Sequence, residues 1–117
     1  MGQHADIEAV TDSELANLSS DDAEELAARF KLLSDPGRLR MVYALLEAGE
    51  LCVGDIADQV DASESATSHQ LRQLRLAGLV KARRTGREVR YRIADMHVRL
   101  LLDVAVEHYL HETRHHR

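Results

Sequence analysis

Seven histidines stand in this chain of 117 residues, and five of them follow Arg92: His97, His108, His111, His115 and His116. Neutral imidazole is a metal ligand. Positions 97, 101, 104, 108 and 111 step alternately by four and three, the spacing of one helical face. Leu101 and Val104 make the middle of that face apolar. His97 lies at one end, two residues after Asp95, and His108 and His111 lie at the other. His97 and His108 are eleven residues apart, or about 16 Å along a helix axis at ~1.5 Å per residue. Zinc–nitrogen bonds are only ~2.0–2.1 Å long. One straight helix therefore cannot bring both ends to one ion, whereas two antiparallel copies can. Asp95 and His97 of one subunit then meet His108 and His111 of the other, and two-fold symmetry makes two equivalent sites per dimer. Three imidazoles and one carboxylate fill a tetrahedron with no open catalytic position, which suits Zn(II). Ni(II) or Co(II) are the alternatives, and nickel would want further ligands from Gly2, His4, His115 or His116. His115 and His116 otherwise read as a polar tail, and Gly2 as an incidental residue.

Other chemistry is thin. Cys52 is the only cysteine, so neither a disulfide within the chain nor a four-cysteine zinc site is available. Cys52 reads first as a small core residue. Asp55 lies three residues after it, and His4 is the single histidine of the N-terminal arm. There is no His-Glu-x-x-His, no paired acid and base and no phosphate loop, so the chain is not expected to be an enzyme or to take a small organic substrate. No apolar run approaches the ~20 residues of a membrane span. The acidic residues 1–10 lack the basic start of a signal peptide. A soluble, cytoplasmic chain without a membrane partner is expected.

The net charge of −5 argues against nucleic acid until its distribution is considered. Residues 1–26 hold eight carboxylates and no Lys or Arg. Residues 72–92 hold Arg72, Arg75, Lys81, Arg83, Arg84, Arg87, Arg90 and Arg92 against Glu88 alone, a local balance of +7. Such polarity in a small chain is a phosphate-binding footprint.

The elements that must position these residues follow from periodicity and punctuation. Residues 1–20 form an acidic arm with weak periodicity. Ser19 to Asp22 can cap a helix over 23–33, with Leu26, Phe30 and Leu33 on one stripe. Asp35-Pro36 starts a helix that Gly49 ends after Ala48, with Leu39, Val42, Tyr43, Leu45 and Leu46 inward. A short helix follows around 53–60. The pattern Asp61-Ala-Ser-Glu64 then opens a helix over 63–77, stopped by Gly78. Two helices so closely spaced read as a helix-turn-helix. Runs at 79–84 and 88–93 around Thr85-Gly86-Arg87 read as a β-hairpin. Asp95 caps a last helix reaching His111 or beyond. The fold expected is mainly α with a β-hairpin: a winged helix-turn-helix domain over 21–113, with a His-rich tail at 114–117.

In that architecture the second helix of the pair enters the major groove. Ser63, Ser65, Thr67, Ser68, His69, Gln70 and Gln73 are its candidate groove residues, since hydroxyls and amides can bond base edges or phosphates. Ser63 reads equally as a plain helix cap. Arg72, Arg83, Arg84, Arg87 and Arg90 are placed to reach phosphates.

The segments Leu33-Ser-Asp-Pro-Gly-Arg-Leu-Arg40, Glu50-Leu-Cys-Val-Gly-Asp-Ile-Ala57, Ser63-Glu-Ser-Ala-Thr-Ser-His-Gln-Leu71 and Gly86-Arg-Glu-Val-Arg-Tyr91 resemble the ArsR/SmtB family of metal-sensing repressors. The likeness covers about residues 30–111. It implies a homodimer with dimerisation helices at both ends, which leaves operator DNA when it binds a metal. It places a zinc or nickel site at the positions of Asp95, His97, His108 and His111, and a site for thiophilic metals at Cys52 and Asp55, for which His4 is the donor that the N-terminal arm offers. The paired-cysteine version of the latter is absent. The resemblance further implies that the histidine at position 108 links the metal to a backbone carbonyl of the recognition helix, at or near His69. A protein that buffers metal through the same histidines without binding DNA is the alternative of a different class.

Overall fold

The computed structural model describes residues 10–12 and 17–115. Among them are five helices and three strands: α1 (Ser20–Leu33), α2 (Pro36–Ala48), β1 (Leu51–Cys52), α3 (Val53–Val60), α4 (Glu64–Leu76), β2 (Val80–Thr85), β3 (Glu88–Ile93) and α5 (Met96–His115). The arrangement is a winged helix-turn-helix, with α3 and α4 as the helix pair and β2–β3 as the wing.

Local chemistry sets the boundaries. Helix α1 begins at Ser20, three residues before the expected start. Ser19 Oγ accepts from the Asp22 N–H at 3.0 Å, and Asp22 Oδ2 accepts in return from the Ser19 N–H at 3.4 Å. Asp35 Oδ2 accepts from the Arg38 N–H at 3.0 Å, with Pro36 at the first helical position. The cap of α4 is Ser63, whose Oγ accepts from the Ala66 N–H at 3.1 Å. Asp61 does not join that cap. It takes a left-handed conformation (φ 55°) and ends α3 instead. Asp95 caps α5 through Oδ1, which accepts from the Val98 N–H at 3.1 Å. The helix runs unbroken to His115, through the start of the expected tail.

The sheet is antiparallel in the order β1-β3-β2. Strand β1 was not foreseen. It is two residues long and pairs Leu51 with Tyr91 and Cys52 with Arg90. The wing turns tightly at Gly86 (φ +63°), a backbone conformation that glycine takes at little cost.

The core gathers Met41, Val42 and Leu45 of α2, Ile56 and Val60 of α3, Leu71 and Leu74 of α4, Val80, Tyr91 and Ile93 of the sheet, and Leu102 of α5. Leu39, expected to face inward, lies outside it at 37% exposed. Helix α1 buries none of its residues within the chain. Its stripe residues Leu26 and Phe30 stay 45% and 49% exposed, and on α5 Leu101, Val104 and Tyr109 are likewise exposed. Helices α1 and α5 thus carry large apolar side chains that a single chain leaves in contact with water. Among the described residues, no helix is long and apolar enough to cross a membrane.

Candidate nucleic-acid interface and metal-ligand helix

Helix α4 presents Ser65, His69 and Arg72 to solvent, with Ser68, Gln70 and Gln73 half-buried. Thr67 is different. It is 0% exposed and its hydroxyl has no hydrogen-bond partner, so it is a core side chain and cannot meet a base edge. Hydroxyl type pointed to the groove, but the helical phase that buries Leu71 and Leu74 carries Thr67 inward with them. Ser63 acts as the cap. Gln73 Oε1 accepts from Arg38 Nη2 at 3.0 Å, so Arg38 fixes the orientation of that amide.

The wing divides its arginines into two sets. Arg84 and Arg87 at the tip are exposed. Arg83 and Arg90 are held by Glu50, a residue that sequence reasoning did not single out. Glu50 Oε1 lies 2.5 Å from Arg83 Nη2 and 3.1 Å from Arg90 Nε. The hydrogen bond from Arg83 does most to hold the Glu50 carboxyl below the usual glutamate range; burial opposes it, and the charge of Arg83 with the hydrogen bond and charge of Arg90 add to the lowering.

Asp95, just before α5, and His97, His108 and His111 on it are all exposed. His97 Nδ1 lies 3.7 Å from Asp95 Oδ1, the atom that also caps the helix. His108 Nε2 lies 3.7 Å from Glu112 Oε1, one helical turn on. The His-x-x-x-Glu spacing was a signal for that contact. Among the described residues of one chain, no three His, Cys, Asp or Glu side chains converge as a metal site. The unbroken helix separates the His97 end from the His108 end. The donors are nitrogen and oxygen on an accessible face, a set that matches zinc chemistry.

Cys52 is half-buried and lies outside the core, which corrects its expected placement. It sits at the start of α3, and its Sγ donates to Asp55 Oδ2 at 3.3 Å. The structure thus brings Cys52 and Asp55 together. Gly2, His4, His116 and the side chain of His115 lie outside the described residues.

Likenesses to known proteins bear on this geometry. Residues 35–82 match the family model described as bacterial regulatory protein, arsR family. The chain is 50% identical over 91 residues to a transcriptional repressor SmtB homolog of Synechocystis sp., covering 78% of this chain and 68% of that one. It is 40% identical over 94 residues to the cadmium resistance transcriptional regulatory protein CadC of Listeria innocua, covering 80% and 76%. Among solved structures, a homodimeric winged helix-turn-helix DNA-binding domain of Mycobacterium bovis, a possible ArsR-family regulator, superimposes with a TM-score of 0.72. It shares 29% identity and covers 95% of this chain and 96% of that one.

Proposed function

The chain belongs to the ArsR/SmtB family of bacterial transcriptional regulators and is not an enzyme, and from that premise we propose that it is a homodimeric, zinc-responsive repressor acting in the cytoplasm. The dimer binds operator DNA through α4 and the wing. Zn(II) binds between the α5 helices of two subunits and releases the operator. Asp95 and His97 of one subunit and His108 and His111 of the other are the ligands, two sites to the dimer. Groove contacts come from Ser65, Ser68, His69, Gln70 and Gln73, and phosphate contacts from Arg72 and the wing.

One observation carries this reading. His97 and His108 stand exposed toward opposite ends of one unbroken helix, and the apolar Leu101 and Val104 between them are exposed too. Exposed apolar side chains on α1 and α5 favour a second copy over open water. An antiparallel second copy would bring the two ends of the ligand set together. The cadmium-resistance relative supports a metal effector, and the homodimeric winged-helix neighbour supports the assembly. The second ring nitrogen of a ligating histidine commonly donates to a nearby acceptor. A bond from His108 to the backbone of α4 near His69 would carry the metal's presence to the recognition helix.

The test is operator binding, followed by fluorescence anisotropy, titrated with Zn(II), Ni(II) and Co(II). Release at the lowest free concentration of Zn(II) supports the reading. Release by Ni(II) alone, with an octahedral cobalt spectrum, would move the assignment to a nickel or cobalt sensor. Metal binding with no DNA binding would leave only a buffering protein.

A further inference from the structure

The wing carries all its central charge on one face. Cα partners pair Lys81 with Arg92 and Arg83 with Arg90, while Val80, Ala82, Tyr91 and Ile93 alternate with them toward the core. Two arginines directly opposite each other on neighbouring strands repel. Glu50 immediately precedes β1, and the register Leu51↔Tyr91 carries it alongside Arg92. From there its carboxylate reaches across two strands. Oε1 accepts from Arg83 Nη2 at 2.5 Å and from Arg90 Nε at 3.1 Å, and Oε2 accepts from Arg83 Nε at 3.3 Å. Arg92 Nη1 lies 4.0 Å from Oε2. Arg90 Nη1 also donates to Glu88 Oε1 at 3.3 Å. The fork of Arg83 is thus filled in the bidentate manner in which guanidinium takes a phosphate.

We propose that Glu50 sets the wing's affinity for nucleic acid by occupying Arg83 and Arg90 in place of phosphate, which leaves Arg84 and Arg87 as the wing's phosphate-binding pair. This rests on the DNA-binding reading above. A carboxylate and a phosphate compete for the same guanidinium donors, and the pair formed within the chain needs no loss of translational freedom. Each phosphate that a protein neutralises releases counterions and adds about −0.9 to the slope of log affinity against log salt. Glu50 therefore costs the wing affinity and flattens its salt dependence.

Glu50→Gln keeps the side chain's shape and an acceptor oxygen but removes the charge. With a short duplex of arbitrary sequence, E50Q is expected to bind on the order of tenfold more tightly than the natural chain. Its salt slope should be steeper by about one to two per protomer. Arg83→Gln in the natural background should weaken binding far less than Arg84→Gln does. In the E50Q background it should remove most of the gain. The R83Q against R84Q comparison leaves Glu50 untouched, so it stands even if E50Q folds poorly. If E50Q binds more weakly with an unchanged slope, or R83Q costs as much as R84Q, the carboxylate is only a scaffold for the wing and the proposal fails. If neither the natural chain nor E50Q binds any duplex, the DNA-binding reading fails first and takes this one with it.

Discussion

The guanidinium of Arg29 donates from Nε to the carbonyl oxygen of Ala77 at 3.0 Å, joining helix α1 to the residue that caps the end of the recognition helix. The last carbonyls of a helix lack partners within it and carry the negative end of its dipole, so a cation there is favourable twice over. Arg29 also donates from Nη1 to Glu25 O at 2.9 Å, which anchors the guanidinium to its own helix. The same side chain lines an apolar hollow with Phe30, Leu79, Leu101 and His97. One arginine thus borders both α5 and the end of α4. Arg29→Ala should cost about 1–2 kcal/mol of stability, the range for a hydrogen bond to a charged group discounted for partial exposure. Urea denaturation would measure it. Operator affinity should fall with it, because the C-terminal end of α4 loses its tether, while zinc stoichiometry stays at that of the natural chain. Unchanged operator affinity would mean that the tether does not position α4.

Thr67 offers the opposite kind of substitution. Its hydroxyl is fully buried with no partner, so burial costs its hydration and returns no bond. Thr67→Val replaces the hydroxyl with a methyl group of similar size. The thermal midpoint should rise, by an amount equivalent to about 1 kcal/mol, and duplex binding should be unaltered. A loss of binding without a loss of stability would return Thr67 to the groove.

Tyr43 fastens α2 to α5: its Oη donates to the Leu102 carbonyl oxygen at 2.7 Å. Burial first, and then the charge of Asp103, push its phenol above the usual tyrosine range. A group whose value is raised on folding contributes its stabilisation below its unfolded value, and loses it as pH rises through the folded one. Tyr43→Phe should therefore destabilise the chain by about 1 kcal/mol, evenly between pH ~6 and ~9. The gap between the two proteins should close only above pH ~10. A gap that changed across the neutral range would point to a different titrating group.

Glu50 gives the mirror case at acid pH. Its carboxyl is lowered on folding, by the Arg83 hydrogen bond first. Its contribution is present above the ordinary glutamate value of ~4.3 and is lost as pH falls through the lower folded one. The difference in duplex affinity between the natural chain and E50Q should hold from pH ~8 down to ~5 and shrink only below ~4. A difference that disappeared near pH 6 would show that something other than the Glu50 charge controls the wing.

Much of the architecture was legible because the chain punctuates itself. Asp35-Pro36, Gly49, Ser63, Gly86 and Asp95 each sit where a cap or turn needs that residue type, and the structure uses them so. Strand β1 was not legible, since two residues have no period to detect. The stripes on α1 and α5 were found as stripes, but periodicity alone does not say whether a face turns toward its own core or away. Leu26 and Phe30 stay about half exposed. Thr67 was misplaced because side-chain chemistry was weighed ahead of helical phase. Glu50 and Arg29 were invisible for another reason. Their partners lie 33 to 48 residues further along the chain, and only the folded topology brings them together. The histidines proposed as ligands stood out only through their spacing on one helix.

The subunit origin of those ligands can be decided by mixing variants. In the proposed arrangement one site takes Asp95 and His97 from the first subunit and His108 and His111 from the second, and the other site takes the reverse. A homodimer of His97→Ala loses a ligand from both sites, and so does a homodimer of His108→Ala. In a mixed dimer both substitutions fall in the same site, and the other site keeps all four ligands. Neither variant alone should give the intense absorption of tetrahedral Co(II). After the two are unfolded together and refolded in equal amounts, about half the dimers are mixed and each holds one of two sites. About a quarter of the natural signal should return. Cys52→Ser should leave that signal unchanged, since no thiolate belongs to this ligand set. If the ligands of each ion came instead from one chain, every chain in the mixture would lack a histidine and nothing would return.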